Sequence, residues 1–158
     1  MTVDALVKPL LRLEIFQGLR PLQITEIARR AERIVFSPGQ VIVHAGTPGD
    51  GAFVIVAGEA VCIGRENSRI KPEPIEPGSL IGELAMLVEH DYAITVIARG
   101  PVRALKIARE AMHEQMRDDA RMAEHIGAKI TSRLAGLADE LRRIDNRLAH
   151  VAEVHAAG

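Results

Sequence analysis

Apolar residues at Val3, Leu6, Val7, Leu10, Leu11 and Leu13 recur at helical spacing, which predicts an amphipathic helix over 3–15. Phe16-Gln17-Gly18-Leu19 interrupts it. Pro21 then stands at a first helical position, followed by Leu22, Ile24, Ile27 and Ala28, so a second helix is expected to end near Ala31. From Glu32 the texture changes to short β-branched runs between Pro/Gly turns. Ile34-Val35-Phe36, Val41-Ile42-Val43, Phe53-Val54-Ile55-Val56 and Ala60-Val61-Cys62-Ile63 are such runs. The polar stretch from Arg65 to Pro74 reads as an exposed hairpin, and Pro77-Gly78-Ser79 as a turn. Gly82-Glu83-Leu84-Ala85-Met86-Leu87 breaks the alternation and has room for one or two helical turns. Two further strands are expected over 93–98 and 102–107. The pattern predicts an α+β fold: an antiparallel β-barrel or jelly roll of about eight strands, flanked by N-terminal helices and a long C-terminal helix.

After Arg109 the chain has no proline. Ile130, Leu134, Leu137, Leu141, Ile144, Leu148 and Val151 follow one another in steps of four and three, a heptad a/d stripe over three repeats. Two uses of that stripe are open. It can pack back on the barrel, or it can pair with a second copy. With Leu134 at a, Glu140 falls at g and Asp145 at e, which repel in a parallel pair. Arg147, at another g position, can face Glu140 in an antiparallel one. The orientation stays open.

Composition narrows the function classes. The 158 residues fit one domain, 47% hydrophobic and 26% charged. Twenty basic against 21 acidic residues, net −1, give no basic field for nucleic acid, and 3% aromatic residues give no base-stacking platform. Cys62 is the single cysteine, so neither an intrachain disulfide nor a multi-cysteine cluster can form; it is expected to be a buried, inert thiol. The six histidines form no H-x-H or H-x-x-x-H set, which argues against a metal site and against a metal-dependent jelly-roll enzyme. No apolar run approaches the roughly 20 residues that span a bilayer, and Met1-Thr2-Val3-Asp4 lacks a signal-peptide flank, so a cytoplasmic protein is expected.

Several strings occur in an order that resembles the cyclic nucleotide-binding domain family. These are Phe16-Gln17-Gly18-Leu19, Phe53-Val54-Ile55-Val56-Ala57-Gly58-Glu59, Pro77-Gly78-Ser79-Leu80-Ile81-Gly82-Glu83-Leu84-Ala85-Met86-Leu87 and Ala93-Ile94-Thr95-Val96. That family includes the sensory half of the catabolite activator, the regulatory subunits of cyclic-AMP-dependent kinase and the gating domains of some ion channels. The resemblance covers roughly Phe16 to Arg121. It implies a cyclic nucleotide-binding-like domain over 1–121 and a C-terminal helix over 122–158 as the dimerisation element. It also implies a phosphate-binding cassette made of Gly82, Glu83, Leu84, Ala85, Tyr92 and Ala93. In such a cassette the amides near Leu84 and Ala85 meet the cyclic phosphate, Gly82 permits close backbone approach, and Glu83 accepts the ribose 2′-hydroxyl.

The family's arginine, ten residues after that glycine, is missing: Tyr92 stands there, between Asp91 and Ala93. Ile94 also replaces a small residue, and Ala93 lacks the hydroxyl used by some cyclic-GMP binders. Truncating one partner of a buried charge pair costs about 2–5 kcal/mol. That is roughly 30-fold to several-thousand-fold in affinity. Tyrosine offers one hydrogen bond and no charge. Arg99 and Arg103 are the nearest downstream cations, on or beyond the next turn. Glu83 has a plain alternative role as a helix-start carboxylate, and Tyr92 one as an aromatic filling vacated space.

The resulting expectation is a non-catalytic regulatory or sensor module whose cyclic nucleotide binding is weak or lost. The competing expectation is a functional sensor that binds cyclic AMP or cyclic GMP through Glu83 and the cassette amides. No cofactor is required in either case, and cyclic nucleotide enters the first only as a weak ligand. A small jelly-roll enzyme is the reading from another class, and no nucleophile–base set supports it. The expected partner is a second copy through the C-terminal helix or an unidentified effector protein. No helix-turn-helix follows the long helix, so direct DNA binding is not expected, and with no spanning apolar run neither is membrane attachment.

Overall fold

The computed structural model describes residues 3–65 and 68–157, with the side chains of 3–4, 65–70 and 148–157 outside the description. Helix α1 (Val3–Leu11), a 3-10 turn (Glu14–Phe16) and α2 (Pro21–Arg30) lead into the strands. The expected single helix over 3–15 is corrected here: it stops at Leu11, and Leu13 adopts extended backbone at φ −72°, ψ 129°. Burial explains the break. Leu10, Leu13, Ile15 and Phe16 all enter the core. On a continuous helix, at about 100° per residue, Ile15 would point some ~140° away from Leu10. α2 begins on Pro21 at its first turn, as the missing N–H of proline allows.

The strands are β1 (Glu32–Phe36), β2 (Val41–Val43), β3 (Pro48–Gly49), β4 (Gly51–Ala57), β5 (Ala60–Arg65), β6 (Ser68–Ile75), β7 (Leu80–Ile81), β8 (His90–Asp91), β9 (Ile94–Ala98) and β10 (Val102–Ala108). They form two antiparallel four-stranded sheets, β1-β10-β4-β7 and β2-β9-β5-β6, with β3 and β8 as a short separate ladder. β6, with Pro72 and Pro74, lies at a sheet edge, where a strand can dispense with two N–H donors.

Alternation along the strands sorts side chains into two cores. Phe36, Phe53, Ile55, Val96 and Ala104 fill the interior of the β-roll, where Cys62 is also buried. Ala52, Val54, Leu105 and Ile107 face outward and meet Leu6, Leu10, Ile24 and Ile27 of the N-terminal helices. Met112 of α3 (Arg109–Asp118) and Met122 and Ile126 of α4 (Ala120–Ala157) close the same outer core. Asp119 separates these helices and caps the second, its Oδ1 accepting the Met122 N–H at 3.1 Å. Its other oxygen accepts from Gln23 Nε2 at 2.9 Å, so the break is tied to α2.

The heptad stripe divides along α4. Ile130 packs on the outer core. Leu134, Leu137, Leu141 and Ile144 stand 48–60% exposed. Leu148 and Val151 lie on the helix, with side chains outside the described residues.

Candidate functional site

The segment that the family resemblance marks as the cassette, called the cassette below, occupies the passage from β7 to β9. Gly82 takes the left-handed conformation, φ 74° and ψ 36°, which L side chains rarely adopt. A Cβ there would also lie 2.7 Å from Tyr92 Cε1. The chain then makes a single 3-10 turn, Glu83–Met86, in which the Ala85 N–H donates to the Gly82 carbonyl at 3.0 Å. Ala85 and Met86 are buried, whereas Leu84 is exposed to solvent.

Tyr92 turns into the roll and is buried among its interior residues. Its hydroxyl donates to the Gly51 carbonyl at 2.8 Å. The ring lies against Gly82 and Gly49: a Cβ on Gly49 would meet Tyr92 Cζ at 2.8 Å. Burial pushes the phenol ionisation above its ordinary value, with the nearby Asp50 charge acting in the same direction. Ala93, the next residue, is exposed. It lines an open cleft of about 780 Å³ beside the Tyr92 ring, together with Gly49, Glu89, His90, Asp91 and Arg109.

Two arginines that sequence reasoning passed over organise this region. Arg109, at the junction of β10 and α3, holds Nη1 at 2.9 Å from the Gly49 carbonyl and at 3.1 Å from those of Ala85 and Val88. It pins the C-terminal side of the 3-10 turn to β3, against which the Tyr92 ring lies. His113 adds a contact from Nε2 to the Leu87 carbonyl at 2.6 Å. Arg133 reaches in from α4: its Nη1 donates to Glu83 Oε2 at 2.6 Å, and its Nη2 lies 3.7 Å from Glu14 Oε2. The Glu83 hydrogen bond holds the Arg133 guanidinium above its ordinary pKa. Four residues apart along α4, His125, Lys129 and Arg133 form one polar row. His125 Nε2 meets the Gln17 carbonyl at 2.7 Å, and Lys129 meets the Glu14 carbonyl. No local signal marks these contacts, because each joins segments distant in sequence.

Gly82, Glu83, Ala85 and Tyr92 are thus brought together, while Leu84 and Ala93 face solvent. Arg103 lines a different groove, which contains no cassette residue, and Arg99 is exposed. Asp50, beside the cassette, is ion-paired to Lys106 at 2.9 Å, and that lysine's hydrogen bond holds the carboxyl below its ordinary pKa. Among the described residues no three His, Cys, Asp or Glu side chains converge as metal ligands would. No helix among them is long and apolar enough to cross a membrane.

The profile of the cyclic nucleotide-binding domain matches residues 33–119. The chain belongs to the cyclic nucleotide-binding domain family. A cAMP-dependent protein kinase regulatory subunit of Mucor circinelloides f. lusitanicus is 32% identical over 98 residues, which is 61% of this chain and 23% of that longer protein. Among solved structures, the N-terminal domain of a transcriptional regulator from Streptomyces coelicolor A3(2) superposes with a TM-score of 0.73 at 21% identity, covering 87% of this chain and 95% of that one. The regulatory domain of Toxoplasma gondii PKA with cAMP gives 0.63 at 22% identity, over 82% of this chain and 50% of that one. At those identities the two likenesses speak for the fold, which agrees with the α+β roll and long C-terminal helix expected from the sequence.

Proposed function

We propose that this chain is a non-catalytic, cytoplasmic regulatory module in which the nucleotide site of the family is closed by the protein's own side chains. The single observation that carries this reading is the seating of Tyr92. Its ring fills the space beneath Gly82 and beside Gly49, and its hydroxyl is spent on the Gly51 carbonyl. Glu83, the sugar-side acid by resemblance, is already engaged by Arg133, and the Ala85 amide by Gly82. A cyclic nucleotide entering this site would meet no cassette cation and would have to displace the Arg133 contact. Weak or absent binding follows.

The module acts through protein contacts. Its domain is formed by 1–121 and its assembly helix by 122–158. The exposed run Leu134, Leu137, Leu141 and Ile144 fits a second copy of the helix, because four large apolar residues in a/d register are what a coiled-coil partner covers. An effector protein using the same stripe is the other arrangement.

A second reading is favoured by the retained left-handed Gly82 and by Glu83 at the cassette mouth: a working cyclic AMP or cyclic GMP sensor, with Arg133 as the cation near the ligand. Titration calorimetry with both nucleotides decides between them. Millimolar or undetectable binding by the natural chain, tightened by Tyr92→Arg, supports the closed site. Micromolar binding by the natural chain overturns it.

A further inference from the structure

Away from the cassette, the outer face of the first sheet carries a groove of about 270 Å³ between α1 and the strands β1, β10 and β4. Its apolar surface comes from Leu6, Val56, Leu105 and Val35, and Val35 is 68% exposed. Its charge comes from Arg33 and Arg103. Strand pairing sets Arg33 opposite Leu105 and Val35 opposite Arg103, so the two arginines are diagonal neighbours on one face. Such diagonal positions lie about 7–8 Å apart. Among the described residues no carboxylate comes within 4.0 Å of either guanidinium, while Arg30, Lys106, Arg133 and Arg142 each have one. Among the described residues, two like charges are therefore held together over an apolar floor without a counter-ion.

We propose that this groove docks an acidic segment of a partner protein that inserts one large apolar side chain between Arg33 and Arg103. Charge complementarity selects the acid: planar guanidiniums bind carboxylates through paired hydrogen bonds, and a bound carboxylate relieves the repulsion between them. Size selects a single anchor residue, because the volume falls below the roughly 300–1,000 Å³ of sites that enclose a whole small ligand. The exposed Val35 and the buried Leu105 form the apolar diagonal of the same checkerboard, on which such an anchor rests. The groove shares no residue with the cassette, so the proposal stands whether or not the cassette binds nucleotide.

Fluorescence anisotropy on the full chain tests it, with a labelled Asp-Glu-Phe-Glu-Asp peptide as probe. Comparison probes are the same peptide with Ala for Phe, the same peptide with Lys for its acids, and vesicles of phosphatidylserine and phosphatidylcholine. The expected result is binding of the acidic Phe peptide that weakens as salt rises. It should weaken roughly tenfold or more in Arg33→Glu/Arg103→Glu and, separately, in Val35→Asp. Arg33→Ala and Arg103→Ala should melt no lower than the natural chain, since each removes a repulsion. Absent peptide binding, equal binding of the Ala or Lys peptide, affinity unchanged by the variants, or binding of the vesicles instead of the peptide overturns the proposal. A lowered melting temperature in both alanine variants overturns it too, because the arginines would then serve the fold.

Discussion

Arg133 Nη1 lies 2.6 Å from Glu83 Oε2, an ion pair that ties the C-terminal helix to the cassette across 50 residues of sequence. Both side chains are about a third exposed, at 35% and 28%, so solvent screens much of their attraction. In the proposed reading Glu83 is the acid that a ribose would otherwise meet, so helix docking and ligand access compete for one carboxylate.

A double-mutant cycle of Arg133→Ala and Glu83→Gln should therefore give a coupling of about 0.5–1 kcal/mol in urea unfolding, the upper part of the range for partly exposed pairs. In calorimetry, Arg133→Ala alone should leave Glu83 unengaged and bind cyclic nucleotide no more weakly than the natural chain. A coupling near zero would show that the pair does not hold the helix to the cassette segment, and a loss of residual nucleotide binding in Arg133→Ala would mean that the arginine assists the ligand rather than competing with it.

Tyr92→Phe removes the hydrogen bond to Gly51 and should cost about 0.5–1.5 kcal/mol. Tyr92→Ala empties the interior under the cassette and should cost about 3–5 kcal/mol, as other aromatic truncations do. Chemical denaturation of both variants checks the order.

Tyr92 is the only tyrosine and the chain has no tryptophan, so the ultraviolet absorbance change on phenol ionisation reports this side chain alone. Burial raises its folded pKa above 10.0. The unfolded chain thus releases the phenol proton first as pH rises. The stabilisation from the neutral phenol is complete below 10.0 and is lost as pH climbs through the folded value. Tyrosinate should appear later in the folded protein than in the denatured one. Coincident titrations would place the ring in solvent.

At the acid end, Asp50 and Asp119 have folded pKa values lowered from 3.8, the first by its hydrogen bond to Lys106 and the second by that from Gln23. Their contribution is present above 3.8 and fades as pH falls through the folded values. Asp50→Asn and Asp119→Asn should each flatten the acid limb of a stability–pH curve, followed by circular dichroism, and leave its neutral-to-alkaline part parallel to that of the natural chain.

Gly82→Ala places a Cβ at positive φ and 2.7 Å from the Tyr92 ring. The backbone part alone costs roughly 1–2 kcal/mol. The steric part vanishes when the ring is removed, so Gly82→Ala should destabilise less in a Tyr92→Ala background. Strict additivity of the two changes would show that ring and glycine are not in contact.

For the helix, Leu137→Glu/Leu141→Glu should convert a dimer to a monomer in sedimentation, and truncation near Ala128 should do the same. A natural chain that sediments as a monomer at all concentrations rejects the paired-helix arrangement.

Local pattern reached far into this molecule. Helical spacing and Pro21 placed α2, β-branched runs between Pro/Gly turns placed the longer strands, and the 4-3 steps marked the α4 stripe, because each is a property of neighbouring residues. That Tyr92 stands where the family resemblance implies an arginine was likewise readable, since its place is reached by counting ten residues from Gly82. Tertiary structure alone decided the rest. Helix α1 ends at Leu11 because Leu13, Ile15 and Phe16, which follow it, reach the same core as Leu10. Tyr92 points inward and Ala93 outward because Gly49 and Gly82 leave room for a ring on one side only. Arg109 and Arg133 meet the cassette through contacts 21 to 60 residues apart in sequence, which no local period encodes. Hydrophobic periodicity chooses elements because it acts along the chain, whereas the charges that meet around Gly82 and Glu83 were chosen by which surfaces those elements brought together.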